Sequence, residues 1–141
     1  RLAGIYGPGR SAIDQVKGGT ARRIIKPGQV FNRIHVADIA TVVVAAMERA
    51  AALAGGGTAT FNVTDDEPAP PEDVIAFAAG LLGVPPPPAI AFEQAELSPM
   101  ARSFYGEVKR VRNVRIKAEL GVRLAFPTFR EGLRALAQDL S

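Results

Sequence analysis

The chain has 141 residues, 48% of them hydrophobic and 22% charged, with a mean hydropathy of +0.11. That is enough apolar material for one domain with its own core, and it excludes a disordered chain. A formal charge of +3, from 17 basic against 14 acidic residues, is too small and too dispersed to argue for a nucleic-acid partner. The absence of cysteine removes disulfides, thiolate catalysis and cysteine-based metal sites, and no signal peptide or uninterrupted apolar run of membrane-spanning length is present. The expectation is a cytoplasmic protein with neither nucleic acid nor membrane as partner.

Residues 1–5, RLAGI, read as an apolar strand already under way, and Tyr6-Gly7-Pro8-Gly9 reads as the turn that ends it. Such a strand needs ladder partners from outside or from much later in the chain. Residues 11–16 suggest a short helix stopped by Gly18-Gly19, and the Arg-, Lys-, Gly- and Pro-rich residues 20–30 suggest an exposed loop or hairpin.

The stretch that organises the rest is 31–47, FNRIHVADIATVVVAAM, a short strand turning directly into a helix. Ile34 and Val36 alternate with Arg33 and His35, and Asp38 stands where its carboxylate can accept from free first-turn N–H groups and face the positive end of the helix dipole. Residues 39–47 are nearly all apolar, so this helix is expected to lie against other elements on most sides. Arg33 and His35 would then sit at the mouth of a rigid junction, accessible and close to Tyr6.

Gly55-Gly56-Gly57 is a stop signal, and residues 58–63, TATFNV, read as the next strand. After a turn at 64–68, Pro70-Pro71-Glu72-Asp73 opens a helix running to about Leu82 and closed by Gly83. Residues 85–88 form a stiff polyproline spacer, 89–92 a short strand, and 99–105 a short helix capped by Ser98. Residues 109–112 alternate as an extended segment, Asn113 can cap a helix over 114–120 that Gly121 ends, and Pro127 opens a last helix with Phe129, Leu133, Leu136 and Leu140 on one stripe.

Several patterns imitate chemistry. Tyr105 and Lys109 have Tyr-x-x-x-Lys spacing, but Gly106 weakens the turn between them and no Ser or Thr partner is placed upstream. His35, the only histidine, has no companion for a metal site, so a hydrogen-bonded structural role is its plainest reading. Asp65, Asp66 and Glu67 lie between a strand and a helix, where turn and capping roles outweigh catalysis. Gly7-Pro8-Gly9 lacks the G-x-G-x-x-G pattern of a dinucleotide loop.

Four segments in order, RLAGIYGPG (1–9), RIHVADIA (33–40), FNVTDDEP (61–68) and NVRIKAELG (113–121), resemble the C-terminal half of an extended or atypical short-chain dehydrogenase/reductase, in the NAD-dependent epimerase/dehydratase branch. The resemblance covers nearly the whole chain. It implies an α/β fold: the distal part of a Rossmann-like doubly wound parallel sheet plus a small C-terminal substrate-binding α/β subdomain. Residues 1–17 and 31–65 would complete the Rossmann sheet and its helices, and 18–30 and 66–141 would belong mainly to the substrate side.

The resemblance further implies that the backbone at Ala3, Gly4 and Ile5 lines the nicotinamide end of a cleft for NAD or NADP, and that Tyr6, Arg10, Arg33, His35 and Arg102 face a small-molecule substrate. Relatives that bind nucleotide sugars carry an arginine just before the second segment for the pyrophosphate; here that position falls close to Phe31, and the arginine is Arg33. The family's Gly-rich phosphate loop and catalytic Tyr-x-x-x-Lys helix precede its sixth strand, to which residues 1–9 correspond. A fragment lacking its N-terminal cofactor half is therefore expected, inactive alone, with that half as its partner and a homodimer compatible with the fold. The parent is expected to be an NAD(P)-dependent oxidoreductase or epimerase, the alternative being a non-catalytic NAD(P)-binding sensor or scaffold.

Overall fold

The computed structural model describes residues 1–55 and 57–139. Strand β1 (Gly4–Tyr6) ends in a tight turn in which Gly7 and Arg10 exchange both backbone hydrogen bonds at 3.0 Å, with Gly9 at φ 75°, a left-handed angle that favours glycine. Helix α1 (Ala12–Lys17) follows, with Ser11 Oγ accepting from Asp14 N at its start and Gly18 at its end. Next come β2 (Arg23–Ile25), β3 (Arg33–His35) and the long helix α2 (Val36–Ala54). The remaining elements are α3 (Pro71–Leu81), β4 (Ala89–Ala91), α4 (Pro99–Ser103), α5 (Val114–Ala118) and α6 (Phe129–Gln138).

The strands form two parallel pairs. In the first, Gly4, Ile5 and Tyr6 of β1 stand opposite Arg33, Ile34 and His35 of β3. Residues 1–3 also bond to the stretch around Val63, through Ala3 N to Val63 O at 3.0 Å and Val63 N to Arg1 O at 2.8 Å. The expected ladder partners of β1 thus lie later in the chain. In the second pair, Arg23, Ile24 and Ile25 of β2 stand opposite Ala89, Ile90 and Ala91 of β4. Parallel pairing demands crossovers, and the helices supply the apolar faces that cover them.

Three buried clusters hold the elements together. Tyr6, Ile13, Ile75, Ala78, Phe129 and Leu133 join α1, α3 and α6 beneath β1. Ile34, Val42, Ile116, Leu120, Val122 and Leu124 join β3 and α2 to the α5 region. Ile24, Ala95 and Tyr105, with Phe31, Phe92 and Ile90 against them, bind the β2–β4 pair to the segment after α4.

Five expectations are corrected. Residues 20–30 are no exposed loop or hairpin: β2 lies within them, and Ile24, Gln29 and Val30 are buried. Residues 58–62 do not form a strand, and only Val63 bridges, to Leu2. Helix α2 packs on one side, through Ile39, Val42, Ala45 and Ala46, while Val43 (50%), Val44 (54%) and Met47 (74%) stay exposed among the described residues. Asn113 occupies the cap position of α5 without a capping bond, its Nδ2 donating instead to Thr64 O and Asp66 Oδ1. The last helix is capped by Thr128 in a reciprocal box with Glu131, so Pro127 precedes the helix rather than opening it. Gly55 ends α2 in a left-handed conformation, whereas Gly56 and Leu140 lie outside the described residues.

Candidate functional site

A cleft of ≈ 580 Å³ opens beside the start of β1. Its floor includes the backbone of Ala3 and Gly4, and one wall comes from residues 30–32 and 62–64. Gly4 has no side chain to fill it, and a Cβ there would stand 3.2 Å from the carbonyl oxygen of Asn32. The amides of Ala3 and Gly4 are both used within the fold, donating to Val63 O and Asn32 O. Neither amide is therefore a free donor to the cleft. Ile5, also expected at the cofactor, does not line this cleft and is partly exposed elsewhere.

The facing wall is the segment 103–111, which continues from α4 through a single 3-10 turn (Phe104–Gly106) into extended chain. It joins no sheet. A row of side chains spaced three apart holds it instead: Lys26 Nζ donates to Tyr105 O, Gln29 Nε2 to Glu107 O at 3.0 Å, and Asn32 Nδ2 to Lys109 O at 2.9 Å. Asn32 Oδ1 then accepts from Val111 N at 2.9 Å, so this one amide makes two bonds to the segment. Glu107, Lys109 and Val111 alternate onto the cleft, as an extended chain requires, with Ser103 and Phe104 ahead of them.

The expected substrate residues are not gathered in this cleft. Tyr6 is buried, its hydroxyl lying among core atoms without a hydrogen-bond partner among the described residues and its ring edge-on to His35 at 5.1 Å between centroids. His35 is only 4% exposed, against the expectation of an accessible side chain. It caps α2, Nδ1 accepting from Ala37 N at 3.0 Å, while Phe126 covers its ring at 4.1 Å. Burial lowers the His35 pKa against the opposing charge of Asp38, which keeps the ring neutral, as an accepting Nδ1 must be. Arg33 is half-buried, and its Nη1 donates to Phe31 O at 3.1 Å and Ala69 O at 3.2 Å. Tyr6 and His35 thus meet in the core with Arg33 beside them, whereas Arg10 is exposed beyond the turn. Arg102 donates to Ala95 O and lies over the Phe92 ring.

Two carboxylates in this region do work that the sequence conceals. Asp38 is fully buried and caps nothing in its own helix; its two oxygens accept from Ala125 N at 2.7 Å and Phe126 N at 3.0 Å, pinning the loop that covers His35. This corrects the capping role expected for it, although its place in the first turn still suits the dipole. Asp65 is buried too, with Oδ1 accepting from Glu67 N and Oδ2 without a partner. Burial raises the Asp65 pKa to about 7, overcoming the Glu67 N hydrogen bond and the Arg33 charge that lower it. Tyr105 is buried and Lys109 pairs with Glu107, so the Tyr-x-x-x-Lys spacing presents no catalytic face.

Asn32, Asn62 and Phe104 are among the lining residues that sequence reasoning passed over, and Lys109 was weighed only as a partner of Tyr105. The one local signal was the three-residue spacing of Lys26, Gln29 and Asn32, which has no meaning until the segment they hold is known. Among the described residues no group of three or more His, Asp or Glu side chains could hold a metal, and no helix is long and apolar enough to cross a membrane.

No protein-family model matches the chain. A 3-diazoavenalumate denitrifying reductase from Streptomyces sp. is 31% identical over 146 residues, a match that covers 94% of this chain and 44% of the relative. A conserved protein of unknown function from Silicibacter pomeroyi superposes with a TM-score of 0.87 at 60% identity, covering 99% of this chain and 47% of that one. An NAD-dependent epimerase/dehydratase from Methylobacillus flagellatus gives 0.67 at 28% identity over 99% and 46%. The human epimerase family protein SDR39U1 with NADPH gives 0.74 over 99% and 47%, a likeness of fold alone at 22% identity. The chain spans about half the length of each. In sequence and in its parallel α/β architecture, the chain corresponds to the C-terminal half of an extended or atypical short-chain dehydrogenase/reductase of the NAD-dependent epimerase/dehydratase family.

Proposed function

We propose that this chain forms the substrate side of the cleft in an NAD(P)-dependent oxidoreductase or epimerase that acts on a carbonyl or hydroxyl carbon. The observation that carries the reading is the side-chain-free floor at Gly4, open to a cleft large enough for a small molecule. Hydride exchange is the chemistry that a nicotinamide cofactor supplies when bound. Ala3 and Gly4 offer it a backbone surface, and residues 103–111 close the substrate end. Among the described residues no tyrosine hydroxyl lines this cleft, because Tyr6 and Tyr105 are buried, so the part played here is binding and orientation rather than proton transfer. The reductase activity named for the Streptomyces relative supports the oxidoreductase class.

The test is titration of this chain, co-expressed with the N-terminal cofactor half expected for the family, with NADH and NADPH, followed by nucleotide fluorescence, with oxidation of the reduced cofactor monitored in the presence of carbonyl compounds. Saturable binding that weakens about tenfold in Gly4→Ala, where the new methyl group presses on the Asn32 carbonyl oxygen 3.2 Å away, with thermal stability unchanged, supports the reading. Binding indifferent to Gly4→Ala, or no binding at all, contradicts it.

A further inference from the structure

The charges and the apolar surface of the cleft specify a class of substrate. We propose that it selects a flat, apolar molecule carrying a single carboxylate, gripped by Phe104 and Lys109, and that it turns away nucleotide diphosphates. This deepens the reading of the cleft as the substrate side and rests on it.

The first ground is where the guanidinium groups go. A diphosphate is bound well by arginine forks presenting paired N–H groups. Arg33 already donates to the carbonyls of Phe31 and Ala69, and Arg102 donates to Ala95 O while stacking 4.7 Å above the Phe92 ring. Neither lines the cleft. Its charged side chains are Arg1, Glu107 and Lys109, a surplus of one positive charge that matches a carboxylate rather than a diphosphate.

The second ground is the state of Lys109. Its partner Glu107 stands 2.5 Å away, but both side chains are about two-thirds exposed, at 67% and 70%. A pair so exposed contributes about 1 kcal/mol or less, so an incoming carboxylate can replace Glu107 at little cost. The third ground is Phe104, 63% exposed and lining the cleft along with Leu2, Phe31 and Val111, which gives an aromatic ring a face to lie on.

Both gripping residues belong to the segment held by Lys26, Gln29 and Asn32, and these three are positioning residues. Asn32 matters most because its amide fixes Lys109 and Val111 together.

The probes are 2-naphthoate, its uncharged counterpart 2-naphthalenemethanol, and UDP, each titrated with and without saturating NADPH into this chain co-expressed with the N-terminal cofactor half expected for the family. The expected order is naphthoate bound most tightly, naphthalenemethanol about tenfold more weakly, and UDP without saturation. Lys109→Ala should remove the preference for naphthoate over the alcohol. Phe104→Ala should weaken both while thermal stability holds. Asn32→Ala should weaken naphthoate and speed hydrogen exchange at the amides of residues 109–111, which simple loss of stability would not confine to that segment. UDP binding as tight as naphthoate, or naphthoate binding unchanged in both Phe104→Ala and Lys109→Ala, overturns the proposal. Naphthoate bound selectively by a chain that ignores NADPH would remove the nicotinamide reading while upholding the selectivity of the segment.

Discussion

Asp65 links the buried heart of the molecule to pH, and the sign of the effect can be worked out. Its pKa stands at about 7 against 3.8 unperturbed, because burial disfavours the carboxylate more than Arg33 and the Glu67 amide favour it, while Asp66 and Glu67 add repulsion. Between those two values the folded chain holds a proton that the unfolded chain has released. Stability contributed by this group is therefore present at low pH, falls as pH rises toward 7, and levels off above it. At about 1.4 kcal/mol per pH unit the loss across the interval is about 4 kcal/mol, a large part of a typical 5–15 kcal/mol total. For a chain of this size that is about 10 °C in Tm.

Asp65→Asn keeps an oxygen for the Glu67 amide and cannot titrate, so it isolates the effect. Urea unfolding of this chain and of the variant, each co-expressed with the N-terminal cofactor half expected for the family, should show the wild type losing about 4 kcal/mol relative to the variant from pH 4 to pH 8. Titrating groups that do not sense the Asp65 charge cancel in the difference. Two profiles running parallel across that range would show that Asp65 is already ionised in the folded chain, and the reasoning from burial would fail.

Asp38→Ala leaves the amides of Ala125 and Phe126 without their carboxylate partner and should cost about 2 kcal/mol in urea denaturation, with Asp38→Asn losing about half as much; a loss below about 0.5 kcal/mol would deny these bonds their place in holding the loop over His35. Gly132→Ala would set a Cβ 2.7 Å from two Tyr6 ring carbons, so it should cost about 2 kcal/mol or more, and markedly less in a Tyr6→Leu background; equal costs in the two backgrounds would break the link. The exposed Val43, Val44 and Met47 should make residues 1–141, expressed alone, bind a hydrophobic dye and aggregate. Val44→Lys with Met47→Lys should then lower the dye signal without shifting the urea midpoint, and a chain that stays monomeric and dye-free would contradict this.

Signals carried by neighbouring residues were legible in the sequence. The strand at 33–35, Pro71 with its acidic first turn and the closing glycines at 83 and 121 rest on signals that act within a few residues, although α2 begins at Val36, which the alternation had placed in the strand, and not at Asp38. Contacts between distant residues were not. β2 reads as a basic loop because its parallel partner β4 lies some 60 residues on, and nothing in Arg-Ile-Ile by itself announces a strand. TATFNV has the composition of a strand yet only Val63 finds a partner, since β-propensity counts for little without a neighbour to pair with. The capping box of Thr128 and Glu131 was present as T-x-x-E and was overshadowed by Pro127. The glycine floor at Gly4 could be anticipated through family resemblance. The ladder from Lys26, Gln29 and Asn32 could not, because each of its bonds spans more than 70 residues.

Hydrogen exchange read by mass spectrometry on this chain co-expressed with the N-terminal cofactor half expected for the family, with and without saturating NADPH, tests the placement of the cofactor most directly. A nicotinamide seated on the Gly4 floor should slow exchange in peptides covering residues 1–6 and 30–33, and should leave α6 (Phe129–Gln138) unchanged. Protection confined to other parts of the chain, or none on adding either NADH or NADPH, would contradict the assignment of this cleft to an NAD(P)-dependent reaction.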